Sequence, residues 1–476
     1  MSATLAALAA AVLLASPQAQ AQEPAPPAPP APSAPAAAAP VSPAPTAPAA
    51  PPSAQVQAAW GQEMGEALKK ENTDAVSARF APNLIAALPT WRFTQAWGRI
   101  VNRAGKLVSV GKPEVAKEGN AEVVTVPLQH ERADWRMYLV FDAQGLITTI
   151  RFAPASLAPV TPLVEEWKPP AYVNSKAFRD VDVKLGYAPW VLDAWLSLPA
   201  GKGPFPAVVL VHGSGPQDAD ATVGSVKPFR DLAWGLASQG IAVLRYEKRT
   251  KAYGDRMKTM PVTVKEEVVD DAVAAIEFLR ANVAIDKGHV FVLGHSLGGT
   301  LAPRIAAAVP GQLAGVIVLA GATRSVPDLV DDQSAYLVAS GAATEETATA
   351  LRAEAKRIRE IDPKNPPPGL ILGAPAVYWL DLAAYDPVAV ARKNAIPILI
   401  LQGDRDYQVT AKDLDGWRQG LEGAPFAKIQ TFPAANHLFV NGQGKSLPGE
   451  YQAAGNVAAN VVEAIAGFVK GLPPRK

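Results

Sequence analysis

The sequence predicts a large α/β domain on a mostly parallel sheet, preceded by a small α+β domain. Three observations carry that expectation. Six apolar runs after residue 200 alternate with helical stretches, the segment before residue 155 sets helical patterns ahead of alternating strands, and an insertion at about 324–385 separates the fourth apolar run from the fifth.

The whole chain bounds the reading first. At 476 residues it is long enough for two or three domains and a sizeable core. The 49% hydrophobic content is raised by alanine near the start and does not indicate membrane character. A net charge of +1 gives no basic surface of the kind nucleic acid or an anionic membrane requires. The absence of cysteine excludes disulfides, thiolate metal sites and cysteine-based catalysis. No cofactor or metal is expected, and oligomeric state is not legible.

Residues 1–21 read as a secretory signal peptide, with an apolar stretch from Leu5 to Ala15 and an A-x-A-like site at Ala19-Gln20-Ala21. No Lys or Arg precedes that stretch. A periplasmic or secreted protein is expected. Residues 22–53 are almost wholly Pro and Ala, which favour extended polyproline conformation, so this stretch is a tether or a passive spacer.

Residues 54–154 form the small domain. Val56, Trp60, Met64 and Leu68 recur at helical spacing, as do Trp97, Ile100 and Val101. "LVSVGKPEV", "AEVVTVPLQH", "DWRMYLVFDAQG" and "LITTIRFAP" then alternate apolar and polar residues, the pattern of an antiparallel meander. This order, with "FDAQG" before the last strand, resembles the nuclear-transport-factor-like class of small domains. His130 and Trp135 line a pocket there or belong to core and surface.

Residues 175–476 form the large domain. An antiparallel hairpin at 181–198 leads into "AVVLVHG", "IAVLRY", "VFVLGH", "GVIVLAG", "PILILQG" and "AKIQTFP". Runs apolar on both faces and separated by helices imply a parallel sheet covered on both sides. A final helix over 457–470 packs on it. The insertion is helical and charged around "TEETATALRAEAKRIREI". It would sit above the carboxyl ends of the strands, where such sheets bind ligands, and so reads as a lid. Tyr378 and Trp379 belong to an apolar acyl or aromatic pocket, or to the core of that lid.

Gly294-His295-Ser296-Leu297-Gly298 is G-x-S-x-G between an expected strand and an expected helix. A serine in that elbow is lifted out of the sheet, and a side chain at either glycine would collide with neighbouring backbone. A hydroxyl is a weak nucleophile and needs a base. Of five histidines, His130 lies in the other domain, His212 after the first parallel run, His289 before the elbow strand, and His295 beside the serine with its ring directed elsewhere. His437, after the last strand, remains. An orienting carboxylate is expected after the preceding strand, where "LQGDRDYQV" offers Asp404 and Asp406. Asp406 is preferred because it can reach back toward the histidine, with Asp404 as a turn residue.

Ser296, Asp406 and His437 in that order on an alternating sheet resemble the α/β-hydrolase superfamily of serine hydrolases. The likeness covers the chain from about Val181 onward. It implies that the backbone N–H of Ser214, in "HGSGPQDAD", and that of Leu297 form the oxyanion hole. "HGSGPQDAD" with "KPFRDLAWGLASQGIAVLRYEKRT" is similar to exported bacterial hydrolases described as dienelactone-hydrolase-like or esterase-like, with a small α+β domain ahead. That group commonly shows Asp-Arg-Asp where this chain has Asp218, Ala219 and Asp220. Arg245, Lys248 and Arg249 bind an anionic acyl group or build a salt-bridged loop.

The resemblance implies cleavage of a small-molecule carboxylic ester through an acyl-enzyme. Serine at the elbow excludes a dehalogenase, which would carry Asp, and the lack of Cys excludes dienelactone hydrolase proper. A hundred-residue companion domain is too small for a peptidase β-propeller. Amide or peptide hydrolysis by the same residues stands second, and a non-catalytic binding protein on this fold third.

Overall fold

The computed structural model describes residues 52–88, 90–118, 121–155, 167–257 and 260–475, which fall into two compact units, 52–155 and 167–475. The expected signal segment and all but the last two residues of the Pro/Ala-rich stretch lie outside the described residues.

The smaller unit sets four helices, α1 (Ala54–Lys69), α2 (Thr73–Ser77), α3 (Pro82–Ala87) and α4 (Thr90–Ala104), before five strands. These are β1 (Leu107–Val110), β2 (Glu114–Glu118), β3 (Ala121–His130), β4 (Asp134–Phe141) and β5 (Ile147–Pro154). β3, β4 and β5 pair in sequence. The stretch read as one first strand is two: β1 and β2 both lie along the same edge of β3, broken around Pro113. α1 lies where the helical spacing placed it; its buried face is Gln57, Gly61, Met64, Gly65 and Leu68, with Val56 exposed. Gly61 and Gly65 let the helix sit directly on the sheet. A Cβ on either would come within 2.6 Å of the Val124 or Val110 side chain. Trp60 instead packs on Phe141, ring centroids 5.2 Å apart. His130 is buried against Trp97, its Nδ1 2.8 Å from Gly105 O.

In the larger unit an eight-stranded sheet runs β15-β14-β11-β10-β8-β9-β7-β6. Its strands are β6 (Phe178–Leu185), β7 (Leu192–Pro199), β8 (Phe205–Val211), β9 (Ala242–Tyr246), β10 (Ile285–His295), β11 (Gly315–Leu319), β14 (Ile398–Gly403) and β15 (Ala427–Phe432). β6 and β7 form the antiparallel edge and the others pair in parallel. β10 starts earlier than read, so His289 lies on it and not before it, its ring packed against Phe291.

Strand residues alternate between two apolar layers, which is why the runs are apolar throughout. Val209, Val211 and Val292 face one layer with α6 (Asp270–Ala281) and α7 (Leu297–Ala308); Val208, Leu210, Phe291 and Leu293 face the other with α5 (Pro228–Ala237) and the last helix. Each such side chain, fully buried, stabilises the fold by roughly 1.5–3 kcal/mol.

Between β11 and β14 the chain builds α8 (Val326–Ala339), α9 (Glu345–Arg359), a short hairpin β12–β13 (Leu370–Ile371, Ala374–Pro375), α10 (Ala376–Ala383) and α11 (Pro387–Asn394). α8 and α9 share a small core of Val330, Leu337, Leu351 and Ala355 that also takes in Tyr407. α12 (Ala411–Gly420) and α13 (Ala459–Gly471) complete the unit. Among the described residues no helix is long and apolar enough to cross a membrane.

Candidate active site

The sheet order brings four loops to one end. β8 and β10 are neighbours, with Gly294 opposite Val211, and β14 and β15 are neighbours, with Gly403 opposite Phe432. The loops after these four strands carry Ser214, Ser296, Asp406 and His437 respectively.

Ser296 sits at the turn between β10 and α7 with φ 55° and ψ −120°, a conformation L-residues rarely adopt and which costs on the order of 1–3 kcal/mol. Its amide donates to Leu319 O at 2.9 Å, and its carbonyl accepts from Thr300 N at 2.9 Å. A Cβ on Gly294 would lie on the carbonyl oxygen of Gly298. One on Gly298 would press on Val211 O and lie 2.6 Å from His212 O. The elbow therefore closes only with glycine at both places, and it holds the start of α7 against the loop after β8.

Asp406 meets His437. Its Oδ2 accepts from His437 Nδ1 at 2.6 Å and from Gln402 Nε2 at 3.1 Å, while Oδ1 accepts from the amides of Gln408 and Val409 at 2.8 and 3.0 Å. Asp404 is exposed, its amide closing the turn onto Phe432 O. Gly403 permits the approach: its Cα carries no side chain where Asn436 O would lie 2.8 Å away. Asn436 closes the histidine loop, its Oδ1 accepting from Leu438 N and Val440 N.

His437 is fully buried and its Nε2 has no hydrogen-bond partner. No hydrogen bond joins that nitrogen to Ser296, a contact that in such sites tightens when substrate arrives. His295 is nearer to it than the sequence reading implied. Its ring is 4.8 Å from that of His437, and its Nε2 donates to His437 O at 2.8 Å. Burial, with the nearby His437, pushes His295 down to about 3, so it stays neutral and braces the loop. His212 is likewise pushed down to about 3, chiefly by burial and then by the Lys248 charge, and its Nε2 donates to Asp218 O at 2.9 Å.

A cavity of about 390 Å³ opens at Ser296. Its floor is Ser214, Ser296 and Leu297; its roof is largely apolar and comes from the insertion, including Val326, Leu329, Ile358, Trp379 and Leu382. None of its lining residues is acidic. Trp379 is thus both pocket wall and core, its Nε1 bonded to Ile371 O, whereas Tyr378 is buried with its hydroxyl on Glu267. The amides of Ser214 and Leu297 donate to no protein acceptor in the described backbone network.

Arg245, Lys248 and Arg249 do not face the cavity. Arg245 is buried between Asp180 and Asp220, Arg249 pairs with Asp271, and Lys248 with Glu267. Asp220 also binds Lys227 and Arg230, so this acid of the altered Asp-Ala-Asp stretch still anchors a charge network. Sequence reasoning missed Gln402, which looked like a strand residue, and Lys248 as a neighbour of the Ser214 loop. Among the described residues no cluster of His, Asp and Glu is arranged to hold a metal ion.

Comparison with known proteins agrees with this architecture. Residues 203–442 match the family described as "Serine aminopeptidase, S33", and residues 62–149 match one described as "Protein of unknown function (DUF3887)". Esterase EstD of Thermotoga maritima is 35% identical over 399 residues, 84% of this chain and 92% of EstD. Among solved structures, Est1E from Butyrivibrio proteoclasticus aligns at 17% identity with a TM-score of 0.42, over 61% of this chain and 98% of that one. A dienelactone hydrolase from Anabaena variabilis aligns at 16% and 0.38, over 62% and 99%. The chain belongs to the α/β-hydrolase superfamily of serine hydrolases.

Proposed function

We propose that this protein hydrolyses carboxylic esters with an apolar acyl group through an acyl-enzyme on Ser296. His437 Nε2 takes the proton as Ser296 Oγ attacks the ester carbon. Asp406 holds Nδ1–H and stabilises the imidazolium that forms. The carbonyl oxygen, now an oxyanion, receives the N–H groups of Ser214 and Leu297, each contributing roughly 3–4 kcal/mol to the transition state. The alcohol leaves with the proton from His437. Water then repeats the attack on the acyl carbon and Ser296 regains its proton.

The observation that carries this reading is the 2.6 Å contact of His437 Nδ1 with Asp406, which leaves Nε2 buried and without a hydrogen-bond partner. The largely apolar roof, which also carries Arg324 and Arg359, supports the acyl preference, and the identity with an esterase along most of both chains supports the bond type. The insertion acts as the lid of this pocket.

A second reading has one observation in its favour, the aminopeptidase description of the matching family. Recognition of a free α-amine requires an anionic partner, and the cavity lining supplies none. Matched p-nitrophenyl esters and aminoacyl p-nitroanilides decide between them. The esters should exceed the anilides in kcat/KM by at least about a hundredfold, or 2.7 kcal/mol of barrier. The reverse order would make this a peptidase.

We also propose export to the periplasm or medium, on the apolar stretch and the Ala19-Gln20-Ala21 site. The mature protein should begin at Gln22 by terminal sequencing; a mature chain retaining Met1 contradicts this.

A further inference from the structure

The loop after β8 is gripped by its carbonyls. Lys248 Nζ donates to Gly213 O at 2.7 Å, Gln217 Nε2 to Ser214 O at 3.0 Å, and Thr250 Oγ1 to Gly215 O at 3.5 Å. The Lys248 backbone is itself tied to this loop through Gln217 O at 3.0 Å.

Gly213 O and the N–H of Ser214 belong to one peptide group. That group is planar and trans, so its oxygen and its N–H point in opposite directions. A donor that fixes the oxygen also aims the N–H. A cation on the oxygen does more: it draws electron density through the amide resonance and makes the N–H a stronger donor, as along any polarised hydrogen-bond chain.

The donor here is costly to bury. Lys248 is 2% exposed, and such a charge needs a partner in the interior. Glu267 supplies it at 2.8 Å, and the other oxygen of Glu267 accepts from the Tyr378 hydroxyl at 2.6 Å. Glu267 rides on a π-helical turn, Lys265–Val269, a rare form that occurs frequently at functional sites. Tyr378 belongs to α10 of the insertion. An unbroken chain therefore runs from Tyr378 on α10, the helix whose Trp379 lines the cavity, through a buried ion pair, to the peptide whose N–H is to receive the oxyanion.

We infer that Lys248 is a positioning residue of the oxyanion hole: it aims and polarises the Gly213–Ser214 peptide, and the Tyr378–Glu267 contact ties that setting to the insertion. The inference rests on the role proposed above for the Ser214 N–H.

The test compares wild type with Lys248→Met/Glu267→Gln, which leaves no charge unpaired, and with Tyr378→Phe, which removes only the outer link. Three quantities are read: kcat and KM for p-nitrophenyl butyrate, affinity for a butyl trifluoromethyl ketone, and affinity for the corresponding secondary alcohol. The ketone carbon bonds to Ser296 Oγ, the proton passes to His437, and the oxygen becomes an oxyanion; the alcohol fills the pocket without forming one.

Removing an oxyanion donor outright costs about 10²–10³ in kcat, and a misaimed, weakened donor should cost about thirtyfold in the double variant and about threefold in Tyr378→Phe. KM, alcohol affinity and melting temperature should hold while ketone affinity falls with kcat. Wild-type kcat and ketone affinity in the folded double variant overturn the inference. So does an equal loss of ketone and alcohol affinity. If the double variant does not fold, an unchanged ketone-to-alcohol ratio in Tyr378→Phe overturns it instead. Ser296→Ala separates the two proposals: turnover by that variant defeats the nucleophile assignment, whereas an inactive Ser296→Ala beside a wild-type double variant defeats this inference alone.

Discussion

The floor and the roof of the cavity are held by different kinds of contact. In the elbow that carries Ser296 and in the loop that carries Asp406, glycines lie against carbonyl oxygens, Gly294 on Gly298 and Gly403 on Ala435 and Asn436, and Asp406 takes four donors. On the roof, helices are pinned by ion pairs: Arg324 with Asp332 and Asp413 at 2.7 and 2.8 Å, Arg359 with Asp328 and Asp331 at 2.8 and 2.7 Å. Backbone packed on backbone admits one arrangement. The exposed pairs of Arg359 contribute only about 0–1 kcal/mol each and exchange partners at little cost, whereas Arg324 is anchored on the buried Asp413. The elbow and the Asp406 loop are thus held by tight backbone contacts, and the Arg359 side of the roof by weaker ones.

That contrast can be broken by substitution, and the floor should break hardest. Ser296→Ala should lower kcat by about 10⁶, as in a convergent serine hydrolase, with KM nearly unchanged. Asp406→Asn should cost about 10⁴, because the amide favours the wrong tautomer of His437 while preserving shape. Steady-state kinetics on a p-nitrophenyl ester measure both, and an Asp406→Asn variant within tenfold of wild type would remove Asp406 from the account. Gly298→Ala drives a methyl into Val211 O and should lower stability by about 1–3 kcal/mol or more, read as a melting-temperature drop together with lost activity.

Acid sharpens the comparison because floor and roof titrate in different windows. His212 and His295, pushed down to about 3, refuse protons that the unfolded chain takes up near its ordinary 6.5, so stability falls as pH drops below 6.5. Asp231 works the other way: burial pushes it up to about 7, so the folded chain holds a proton that the unfolded chain has lost above 3.8. Of these three groups the two histidines outweigh Asp231 near pH 5. The roof carboxylates Asp328 and Asp332 are held below their ordinary value, by hydrogen bonds from Ser325 and Arg359 and from Lys412 and Arg324, and their contribution is lost only below about 3.8. Melting temperature should therefore fall between pH 6.5 and 4, and His212→Asn/His295→Asn should flatten that fall. The smallest effect belongs to Arg359→Ala, within about ±0.5 kcal/mol of stability and fewfold in KM, shrinking further in high salt.

How much of this was readable in the chain follows from the same contrast. The elbow glycines are demanded by local backbone geometry, so their spacing is visible in "GHSLGG". His437 emerged by elimination because only five histidines exist, and Asp406 by counting from Gly403. The helix α1 was visible in its spacing, but not the part of its buried face made by Gly61 and Gly65, which carry no apolar signal although close packing on the sheet is what they provide. Contacts made by long side chains across distant segments left no trace. Lys248 reaches Gly213 over 35 residues and Arg324 reaches Asp413 over 89, and no local pattern announces either. Partner choice in the roof is likewise a tertiary outcome, so the insertion was legible as an insertion, and of its residues that face the cavity only Trp379 was singled out.

The central claim is that Ser296 is the nucleophile and that His437 with Asp406 activates it. A fluorophosphonate transfers its phosphonyl group to an activated serine oxygen with loss of fluoride, and peptide mapping then locates the adduct. The account predicts stoichiometric labelling of Ser296 in the peptide bearing Phe291–Thr300, and slower labelling in Asp406→Asn. An adduct on Ser214 or another serine, or none on the folded protein, would contradict it.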